Sequence, residues 1–388
     1  MTTSSSIDFR FDERQNLAMR IEPNDQGVHV EAGGRSADLS WAWLFDHADD
    51  PASVDPSTRQ RIRMTFGVDA PPLRGVRVTA GRVECFWADG LETTVSRNAL
   101  AAALDAHRIP EVDGVPAGLG LGDDVSLWST PDEIELGEFH LDELRADPDR
   151  AADVVDALWR WGVVTFDGVA PGEDGTREVA SLIGPVRRTF FGDVWELAAD
   201  VTDHADSAYG TEELGQHTDG TYLHDAPGLQ LFVCQERAGT GGESTLIDAF
   251  ALAAGLAAEH PEAAALLAAV PVPGHYVEPG VDVSTARPPL RLDHRGRLVQ
   301  VSYNNYDRSP FHLGELDASF RRAYAELARA ADDPARRLHL EWRPGRAMLI
   351  DNWRVMHGRT GFTGSRRFLG AYLDHSDLES RHRVLCRS

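Results

Sequence analysis

The second half of the chain contains a series of short apolar runs that do not alternate regularly with helices, and this pattern most constrains the fold. Each run is typical of a β-strand, and the runs are VVTFDG, LQLFVC, STLIDAF, RLVQVSYN, RLHLEW, RAMLIDN and FLGAYLD. A doubly wound sheet needs regular βαβ units and a glycine-rich turn after its first strand, and the sequence has neither. We therefore predict a mainly β fold with flanking helices, specifically a double-stranded β-helix (jelly roll) barrel.

Changes in composition along the chain predict its domain organisation. Residues 1–108 hold the β-like runs VHVEA and GVRVTAGRVECFWADG before a helical run, which predicts a small β-rich N-terminal domain. Residues 109–135 are rich in Pro, Gly and Asp with little periodicity, which is typical of a linker. Residues 136–388 are predicted to form the jelly-roll domain, with helices at DPDRAADVVDALWRWG and ASFRRAYAELARAAD.

The charge and apolar content of the chain limit its partners and location. The formal net charge is -24, which argues against nucleic acid and anionic membranes because both bind positive surfaces. The apolar stretch 250–270 is interrupted by Glu259, His260, Pro261 and Glu262, so it predicts two short Ala-rich helices rather than a membrane span. The first residues lack a signal-peptide pattern and the three cysteines are scattered, so we predict a cytoplasmic location.

A His-x-Asp pair on an extended segment can occupy adjacent corners of an octahedral metal ion, and a distant second His completes a facial triad with three open positions. The motif alone is unspecific here, because five pairs match it: His47/Asp49, His140/Asp142, His204/Asp206, His217/Asp219 and His375/Asp377. Most of these pairs are therefore expected to be solvated residues of loops or helix caps.

The surrounding sequence singles out one of the pairs. His217 and Asp219 lie in GQHTDGTYLHDAPGLQLFVC, a turn-prone polar loop followed by a strong strand. His357 follows the apolar run RAMLI well downstream, so opposing sheets of a barrel could bring it to the pair. We predict that His217, Asp219 and His357 bind a metal ion, and ordinary loop histidines are the competing interpretation.

Arg366 is a candidate for binding an anionic ligand beside the metal. It lies shortly after His357 and next to the strand-like run RFLGAYLD. A dicarboxylate that chelates a metal through its 2-oxo acid end needs a cation for its far carboxylate, and the planar fork of Arg suits this role. Strand alternation places Arg366 and Arg367 on opposite faces. Arg354 and Arg359 are also near, so the alternative that Arg366 is one of several surface arginines stays open.

Aromatic residues gather ahead of the predicted metal pair and near the C-terminus. They are Phe190, Phe191, Trp195, Tyr209 and Tyr372, and Asp206 lies among them. Aromatic faces with one carboxylate suit a quaternary ammonium group, which donates no hydrogen bond and is held by cation–π and dispersion contacts. Ordinary core packing explains the same residues equally well.

Five long segments carry a family resemblance: IGPVRRTFFGDVWEL, DSAYGTEELGQHTDGTY, PGLQLFVCQERAGTGGESTLIDAF, VSYNNYDR and LIDNWRVMHGRTGFTGSRRFLGAYLD. In this order they resemble the γ-butyrobetaine hydroxylase and trimethyllysine hydroxylase family. That family is a branch of the taurine-dioxygenase-like oxygenases, which use iron(II) and 2-oxoglutarate. The resemblance covers nearly the whole chain.

The resemblance implies roles for individual residues. The family's iron ligands fall on His217, Asp219 and His357, and its 2-oxoglutarate arginine falls on Arg366, four residues before Gly370. Its trimethylammonium cage and other substrate contacts fall on Phe191, Trp195, Asp206, Tyr209, Asn304 or Asn305, and Tyr372. Because Asp206 resembles the acidic residue of the trimethyllysine branch, the resemblance favours that branch.

The chain departs from the family pattern in two places. The family's N-terminal module usually holds a structural zinc through three Cys and one His, whereas this chain has Ala48, Asp50, Ser53 and Leu91 there. We therefore predict that it binds no structural zinc. The second departure is Phe191, which stands where the family usually has Tyr and removes a hydroxyl from the cage.

The resemblance implies hydroxylation of a small quaternary-ammonium amino acid, trimethyllysine-like or γ-butyrobetaine-like, with release of succinate and CO2. It also implies O2 as a substrate, stimulation by ascorbate and a homodimer. Three alternatives stay open at this point. They are the same chemistry on another amino-acid-derived or natural-product substrate, a zinc hydrolase with the same three ligands, and a non-catalytic metal-binding barrel.

Overall fold

The computed structural model describes residues 19–63, 65, 68–79, 81–104, 119–122, 124–198 and 210–386. The chain divides into two compact units, one formed by Met1–Asp50 and Ala70–His107 and the other by Pro51–Asp69 and Arg108–Ser388. Within the described ranges, no helix is both long enough and apolar enough to cross a membrane.

Where the structure describes it, the first unit contains two three-stranded antiparallel sheets and two helices. Its elements are β1 (Arg20–Pro23), β2 (Gly27–Ala32), β3 (Arg35–Ser40), α1 (Trp41–Asp46), β4 (Leu73–Thr79), β5 (Arg82–Trp87), β6 (Glu92–Val95) and α2 (Arg97–Leu104). Burial alternates along β5, as expected of a strand with one face on a core. Its inward residues Val83, Cys85 and Trp87 pack with Trp43 and Leu100.

Four residues stand where the family usually has its zinc ligands, and each makes ordinary packing or hydrogen-bond contacts. Ala48 is buried and Leu91 packs against the core of the first unit. The carboxylate of Asp50 accepts a hydrogen bond of 3.0 Å from a backbone N–H of β6. In the second unit, the Ser53 hydroxyl accepts a hydrogen bond of 3.2 Å from an arginine. The absence of structural zinc stays a prediction from the ligand types.

The second unit is built around a six-stranded and a four-stranded sheet. Its strands are β7 (Gly137–His140), β8 (Val163–Asp167), β9 (Val194–Ala198), β10 (Leu214–His217), β11 (Leu229–Arg237), β12 (Ser244–Asp248), β13 (Val272–Glu278), β14 (Val281–Arg287), β15 (Leu290–Leu292), β16 (Leu298–Val301), β17 (Leu338–Leu340), β18 (Ala347–Asp351), β19 (Val355–Arg359) and β20 (Arg366–Leu373). The six-stranded sheet has the order β7-β8-β18-β11-β20-β9, and the four-stranded sheet has the order β10-β19-β12-β17. The remaining strands form the hairpins β13-β14 and β15-β16.

Helices flank the two sheets. They are α3 (Leu141–Ala146), α4 (Ala151–Trp161), α5 (Glu173–Ser181), α6 (Ala249–Glu259), α7 (Pro261–Ala269), α8 (Asp317–Asp332) and α9 (His375–Leu385). Short 3₁₀ turns lie at Pro131–Glu133, Pro148–Arg150, Gly314–Leu316 and Pro334–Arg336. Helix α4 ends at Gly162, whose φ of 78° is left-handed and turns the chain directly into β8. The predicted pair of Ala-rich helices within residues 250–270 is confirmed by α6 and α7.

Strand alternation sorts the side chains into layers. Along β11, Leu229, Leu231 and Val233 pack under α4, α5 and α9, whereas Phe232 and Cys234 point the other way. Those two residues share a core with Leu246 and Val355 of the four-stranded sheet, so the two sheets pack face to face. The outer face of the four-stranded sheet packs against α6, α7 and α8.

The predicted mainly β class with flanking helices is confirmed, and every strand-like run named above lies on a strand. In the part of the chain that the structure describes, the strands do not close into a single barrel. No strand of the six-stranded sheet pairs with a strand of the four-stranded sheet there.

Two segments join the second unit rather than standing apart from it. Trp128, in the predicted linker, is buried in the core between the sheets. Gln60 donates a hydrogen bond of 3.1 Å to Asp307, and the Arg61 guanidinium donates to the Arg308 carbonyl. The first unit ends at His107, next to the predicted boundary at residue 108, whereas residues 51–69 and the predicted linker 109–135 are grouped with the second unit.

Candidate metal centre

Three side chains of the second unit bring two imidazoles and a carboxylate together. His217 is the last residue of β10, His357 is the middle residue of β19, and the two are directly paired across the antiparallel strands. Asp219 follows β10 by two residues, and its Oδ1 lies 3.4 Å from His217 Nε2 and 3.7 Å from His357 Nε2. The three predicted metal ligands therefore converge on one point.

The strand pairing beside this point is irregular, and that irregularity helps to aim the histidine. The register of β10 against β19 shifts between Leu214 and His217, and such a bulge re-aims side chains next to it. The Tyr306 hydroxyl accepts a hydrogen bond of 2.7 Å from the Gly215 N–H in this gap. The Tyr306 ring meets the His217 ring edge-on at a centroid distance of 6.1 Å.

Hydrogen bonding orients the His217 imidazole for ligation. Its Nδ1 lies 2.9 Å from the Gly215 carbonyl oxygen, which only accepts, so Nδ1 carries a proton and Nε2 is the nitrogen that can bind a metal. His357 Nδ1 has no hydrogen-bond partner among the described residues. The His357 Nε2 nevertheless faces the same carboxylate oxygen as His217 Nε2.

The carboxylate of Asp219 is held on its other oxygen. Oδ2 accepts hydrogen bonds from Gln230 Nε2 at 2.5 Å and from the Tyr372 hydroxyl at 2.8 Å. The backbone N–H of Asp219 donates to Asn352 Oδ1 at 2.8 Å, and Asn352 Nδ2 donates back to the Asp219 carbonyl at 3.1 Å. Only Oδ1 is left to face the two imidazoles.

Electrostatics favour the metal-binding form of two of the three groups, the carboxylate of Asp219 and the imidazole of His357. Burial alone would raise the pKa of Asp219, but the two imidazoles and the Tyr372 hydroxyl lower it to about 2. Burial, together with His217, lowers the pKa of His357 to about 3. Burial also lowers the pKa of His217, but hydrogen bonding to Asp219 outweighs it and raises the value. Since a metal ion binds the neutral imidazole, metal binding would release the proton that His217 shares with Asp219.

The residues present fit an octahedral divalent metal. Bonds of about 2.1 Å place adjacent ligand atoms of an octahedron about 3 Å apart, and the observed separations are slightly larger. Two imidazoles and one carboxylate on one side form the donor set of a facial triad, which is typical of ferrous iron. The same three ligand types also occur in zinc hydrolases, so the ligands alone do not identify the metal.

The competing His-x-Asp pairs serve other roles where the structure describes them. His47 Nδ1 lies 3.2 Å from the Asp46 carboxylate, and the His47 ring stacks on Trp43. His140 caps the first turn of α3. His375 lies 3.4 Å from Asp351 rather than pairing with Asp377. The pair His204/Asp206 lies outside the described residues.

A second group of potential ligands lies between α4 and α9, and the sequence did not point to it. Asp156, His382 and Cys386 bring one ligand atom each within 4.8 Å of one another. Asp156 already lies 3.5 Å from Arg160, and the Cys386 thiol donates to the Ala152 carbonyl. Burial and the nearby carboxylates raise the pKa of Cys386, which keeps the thiol protonated. These contacts account for the group as helix packing.

Arg366 faces the interior, as strand alternation predicted for one of the two adjacent arginines. Its side chain is 8% exposed, whereas Arg367 turns outward and pairs with Glu196. Burial and the neighbouring Arg359 lower the pKa of Arg366 to about 9. Its guanidinium lies 4.1 Å from the Phe368 ring centroid, and no carboxylate pairs with it within the described ranges. A buried cation without a counter-ion is a binding site for an anion.

Arg359 adds a second cation to the same cavity, a feature that the sequence analysis treated only as a neighbour. Its guanidinium is buried and donates a hydrogen bond of 2.7 Å to the Glu212 carbonyl. Burial lowers its pKa, while Tyr306 opposes that shift. Together with Arg366 it makes this end of the cavity positive.

An aromatic wall lines another part of the cavity. The predicted cage residues Phe191, Trp195 and Tyr372 all line it, and so does Tyr222, which the sequence analysis did not single out. The Trp195 ring lies 5.5 Å from Tyr372 and 6.3 Å from Phe191, measured between centroids. Phe190 packs behind this wall, 4.3 Å from Phe191.

Gly370 makes room for the indole of Trp195. The two residues are paired across β20 and β9. A Cβ on residue 370 would lie 2.3 Å from the Trp195 ring, so any side chain there would displace the indole. The glycine that marks the position of Arg366 in the sequence thus also fixes the Trp195 ring against the sheet.

The remaining predicted substrate contacts divide into three cases. Asn304 lines the cavity and donates a hydrogen bond of 2.7 Å to Asp307. Asn305 is directed to the Tyr303 hydroxyl at 3.0 Å and is not part of the cavity lining. The predicted Asp206 and Tyr209 lie outside the described residues.

Sequence reasoning missed several side chains that the tertiary structure brings to the site. They are Gln60, Tyr222, Gln230, Tyr306 and Arg359. Gln230 had a readable signal, since it is the one amide inside the apolar run LQLFVC and is therefore costly to bury without a purpose. Gln60 had none, because it is distant in sequence from every motif.

Comparison with known proteins places the chain among oxygenases. The model of the Taurine catabolism dioxygenase TauD, TfdA family matches residues 128–372, which is more than half of the chain. The mitochondrial trimethyllysine dioxygenase of Mus musculus is 33% identical over 395 residues, covering 98% of this chain and 91% of the mouse protein.

Two further relatives are similar over shorter regions. The trimethyllysine dioxygenase of Meyerozyma guilliermondii is 37% identical over 234 residues, which is 59% of this chain and 58% of the yeast protein. The γ-butyrobetaine dioxygenase of Homo sapiens is 27% identical over 264 residues, which is 65% of this chain and 67% of that protein.

These similarities confirm the resemblance and the enzyme class that the sequence predicted, a dioxygenase that uses iron(II) and 2-oxoglutarate. The ligand geometry agrees with them, because the three donor atoms and the buried arginine share one cavity. The family model and the mouse relative both cover most of the chain, and the chain therefore belongs to the TauD/TfdA family of dioxygenases.

Proposed function

We propose that this dioxygenase hydroxylates a small amino acid that carries a quaternary ammonium group, trimethyllysine-like before γ-butyrobetaine-like, and releases succinate and CO2. One observation carries the proposal. An aromatic wall of Phe191, Trp195, Tyr222 and Tyr372 lines the same cavity as the three metal ligands. The similarity to trimethyllysine dioxygenases supports this choice of substrate class.

His217, Asp219 and His357 would hold iron(II), which when bound activates O2 for insertion of an oxygen atom into a substrate C–H bond. The chain's own contribution is to present two neutral imidazoles and one anionic oxygen from one side of the site. The partners of Asp219 Oδ2 and His217 Nδ1 fix these donors in place. The opposite side of the site is thereby left to the cosubstrate and to O2.

Arg366 would bind the far carboxylate of 2-oxoglutarate. Its guanidinium is buried and lacks a carboxylate partner among the described residues, so a dicarboxylate would supply the missing charge. Arg359 lies close enough to depress the pKa of Arg366. The two cations together favour a dianion over a monoanion at this end of the cavity.

The aromatic wall would hold the trimethylammonium end of the substrate and so fix which carbon faces the metal. A quaternary ammonium offers no hydrogen, and ring faces stabilise it through cation–π and dispersion contacts. Fixing one end of the substrate converts binding energy into orientation of the reacting carbon. Asn304, together with Asp206 and Tyr209, would complete the substrate contacts.

The order of the strands supports a jelly roll for the second unit. The chain passes from β9 in one sheet to β10 in the other, and from β11 to β12 in the same way. Strands β17 and β18 also lie in different sheets, as do β19 and β20. Strands that switch between two facing sheets in this way are characteristic of the double-sheet jelly roll.

The predicted N-terminal domain, the homodimer and the cytoplasmic location belong to the same proposal. So does the prediction that ascorbate stimulates turnover by keeping the metal ferrous. Each rests on the sequence patterns and on the family resemblance.

The proposal is tested by turnover with a panel of substrates. Purified enzyme is supplied with iron(II), ascorbate, 2-oxoglutarate and O2, and hydroxylated product and succinate are measured by mass spectrometry. We expect trimethyllysine to give the most product, γ-butyrobetaine less, and lysine none above background. Equal turnover of lysine and trimethyllysine would contradict the role of the aromatic wall.

Phe191 favours one second candidate, the same chemistry on a different amino-acid-derived substrate. A phenyl ring in place of a phenol makes that part of the wall less polar, which would suit a substrate with a larger apolar group. If neither trimethyllysine nor γ-butyrobetaine increases succinate formation while another amine or zwitterion does, this second candidate replaces the first. Activity with zinc alone would instead establish a hydrolase.

A further inference from the structure

We propose that Gln230 and Tyr372 act as a positioning pair that keeps the metal carboxylate of Asp219 bound through one oxygen only, and that Tyr372 links this function to the occupant of the aromatic wall. Both side chains donate to Asp219 Oδ2, at 2.5 Å and 2.8 Å. Oδ1 instead lies 3.4 Å and 3.7 Å from the histidine Nε2 atoms. One oxygen of the carboxylate thus accepts hydrogen bonds, and the other faces the two imidazoles.

The pair is built into the register of the sheet. Gln230 on β11 and Tyr372 on β20 are direct cross-strand partners. Directly opposed residues of an antiparallel pair project to the same face, here the face between the two sheets. Both side chains are buried. Neither donor can be lost by a surface motion, because both strands lie inside the six-stranded sheet.

The backbone of Asp219 is fixed by a separate contact. The side chain of Asn352 accepts a hydrogen bond from the Asp219 N–H and donates one to the Asp219 carbonyl. It also donates a hydrogen bond of 2.8 Å to the Pro227 carbonyl. The backbone of the aspartate is therefore set independently of its carboxylate. The hydrogen bonds to Oδ2 then determine only the rotation of the carboxylate, which is the motion that would let both oxygens reach the metal.

One-oxygen ligation matters because a facial triad works by leaving positions open. A carboxylate that swung onto the metal with both oxygens would occupy one of the positions that cosubstrate and O2 need. Two donors on Oδ2 satisfy its lone pairs and reduce its attraction for the cation. The positioning pair therefore preserves the open side of the site.

Tyr372 also belongs to the aromatic wall, and this part of the inference rests on the proposed function. Its ring lies 5.5 Å from the Trp195 ring at an angle of 44°. A cation held on these rings would restrain the Tyr372 ring, and the Tyr372 hydroxyl donates a hydrogen bond to the Asp219 carboxylate. Occupancy of the wall would thus stiffen the metal centre before the reaction begins.

The first test measures metal affinity without any substrate. Mn(II) is titrated into wild type and into Tyr372→Phe, which keeps the ring and removes only the hydroxyl, and into Gln230→Met, which keeps the length of the side chain. We expect each variant to bind Mn(II) about 10-fold more weakly, the range for partners of metal ligands. Tyr276→Phe is the matched control, because its hydroxyl donates to Glu278 and it packs behind the wall.

Thermal unfolding of the metal-free proteins verifies that each variant folds. Wild-type affinity in both Tyr372→Phe and Gln230→Met would overturn the positioning role. An equal loss in Tyr276→Phe would overturn it as well, by showing that any buried hydroxyl near the wall has the same effect. Because no substrate is present, these outcomes do not depend on whether a quaternary ammonium compound is turned over.

The second test measures coupling, as the ratio of 2-oxoglutarate consumed to product formed. In Tyr372→Phe we expect the substrate KM to stay within about 2-fold of wild type, since the ring remains, while consumption without product rises several-fold. A higher substrate KM with unchanged coupling and unchanged Mn(II) affinity would mean that Tyr372 only contacts the substrate. That result would contradict the proposed connection between the aromatic wall and the carboxylate of Asp219.

Discussion

The two ends of the cavity are built in different ways. At the metal end the three donor groups come from β10, β19 and the turn after β10, and most of their polar atoms are held by side chains or backbone of neighbouring strands. At the aromatic end the contacts are mainly between rings, apart from the Tyr372 hydroxyl, which donates to Asp219, and the wall combines strand residues with Phe191 and Tyr222 from outside the strands. Reaction chemistry needs fixed directions, whereas recognition of a methylated cation needs apolar surface without directional bonds.

This difference predicts that substitutions at the metal end remove the reaction, whereas substitutions at the aromatic end change the substrate.

Removing a metal ligand should abolish the reaction completely. For His217→Ala we expect neither product nor uncoupled consumption of 2-oxoglutarate, because two remaining ligands do not hold the metal. The measurements are metal content after dialysis and 2-oxoglutarate consumption. His140→Ala is the matched control, since it removes a His of the same motif that caps a helix instead. Substantial turnover by His217→Ala would refute the assignment of the triad.

Removing the buried cation should weaken binding of the cosubstrate and leave binding of the metal unchanged. For Arg366→Ala we expect the KM for 2-oxoglutarate to rise about 100-fold, since hydrogen bonds between charged groups contribute roughly 1.5–3 kcal/mol each. The substrate KM should change little. Arg367→Ala, on the outward face of the same strand, should behave as wild type. Equal effects of the two substitutions would show that Arg366 does not face the cosubstrate.

Removing a ring from the aromatic wall should weaken only the binding of the cationic substrate. For Trp195→Leu we expect the KM of the cationic substrate to rise roughly 10- to 30-fold, because a desolvated cation–π contact contributes about 2 kcal/mol. The KM for 2-oxoglutarate and the Mn(II) affinity should stay unchanged. A comparable rise in the KM for 2-oxoglutarate would erase the distinction between the two ends.

The last effect concerns a support behind the metal end and appears in stability rather than in activity. His375 stacks on Trp353 at 4.3 Å, and Trp353 follows Asn352, which holds Asp219. Burial lowers the pKa of His375, but Asp351 and Glu379 outweigh it and raise the pKa to about 9. The stabilisation is therefore complete below the unfolded-state value near 6.5 and is lost as the pH rises through about 9.

This loss should amount to about 1 to 3 kcal/mol and can be measured by denaturant unfolding between pH 6 and pH 10. In His375→Gln the same pH range should show a flatter profile. A wild-type profile that rises with pH would contradict the direction of the pKa shift.

Much of the fold could be predicted from local pattern. Runs such as LQLFVC and RAMLIDN could be predicted as strands because short apolar runs of this length, bounded by turn formers, are typical of buried strands. Strands β9 and β19 were not predicted, although they carry Trp195 and His357. Their sequences contain Gly, Glu or Arg, and their strand state depends on pairing with partners that are distant in the chain.

The site divides in the same way. The proposed metal ligands and the buried arginine follow from motifs, since each residue type has chemistry of its own, and the proposed cage follows from the family resemblance. The hydrogen bonds of Gln230 and Tyr372 to one oxygen of Asp219 were not predicted. Nothing in either local sequence indicates that the two residues are directly opposed.

The sequence by itself determined which chemical groups are available: two imidazoles, carboxylates, arginines and aromatic rings in a family-specific order. Only the tertiary structure decided which of them face one another. The reason is strand register, because side chains alternate between faces and a slip of one residue would turn His357, Gln230 and Tyr372 out of the cavity. Register is set by the packing of two whole sheets and their helices, and no single motif encodes it.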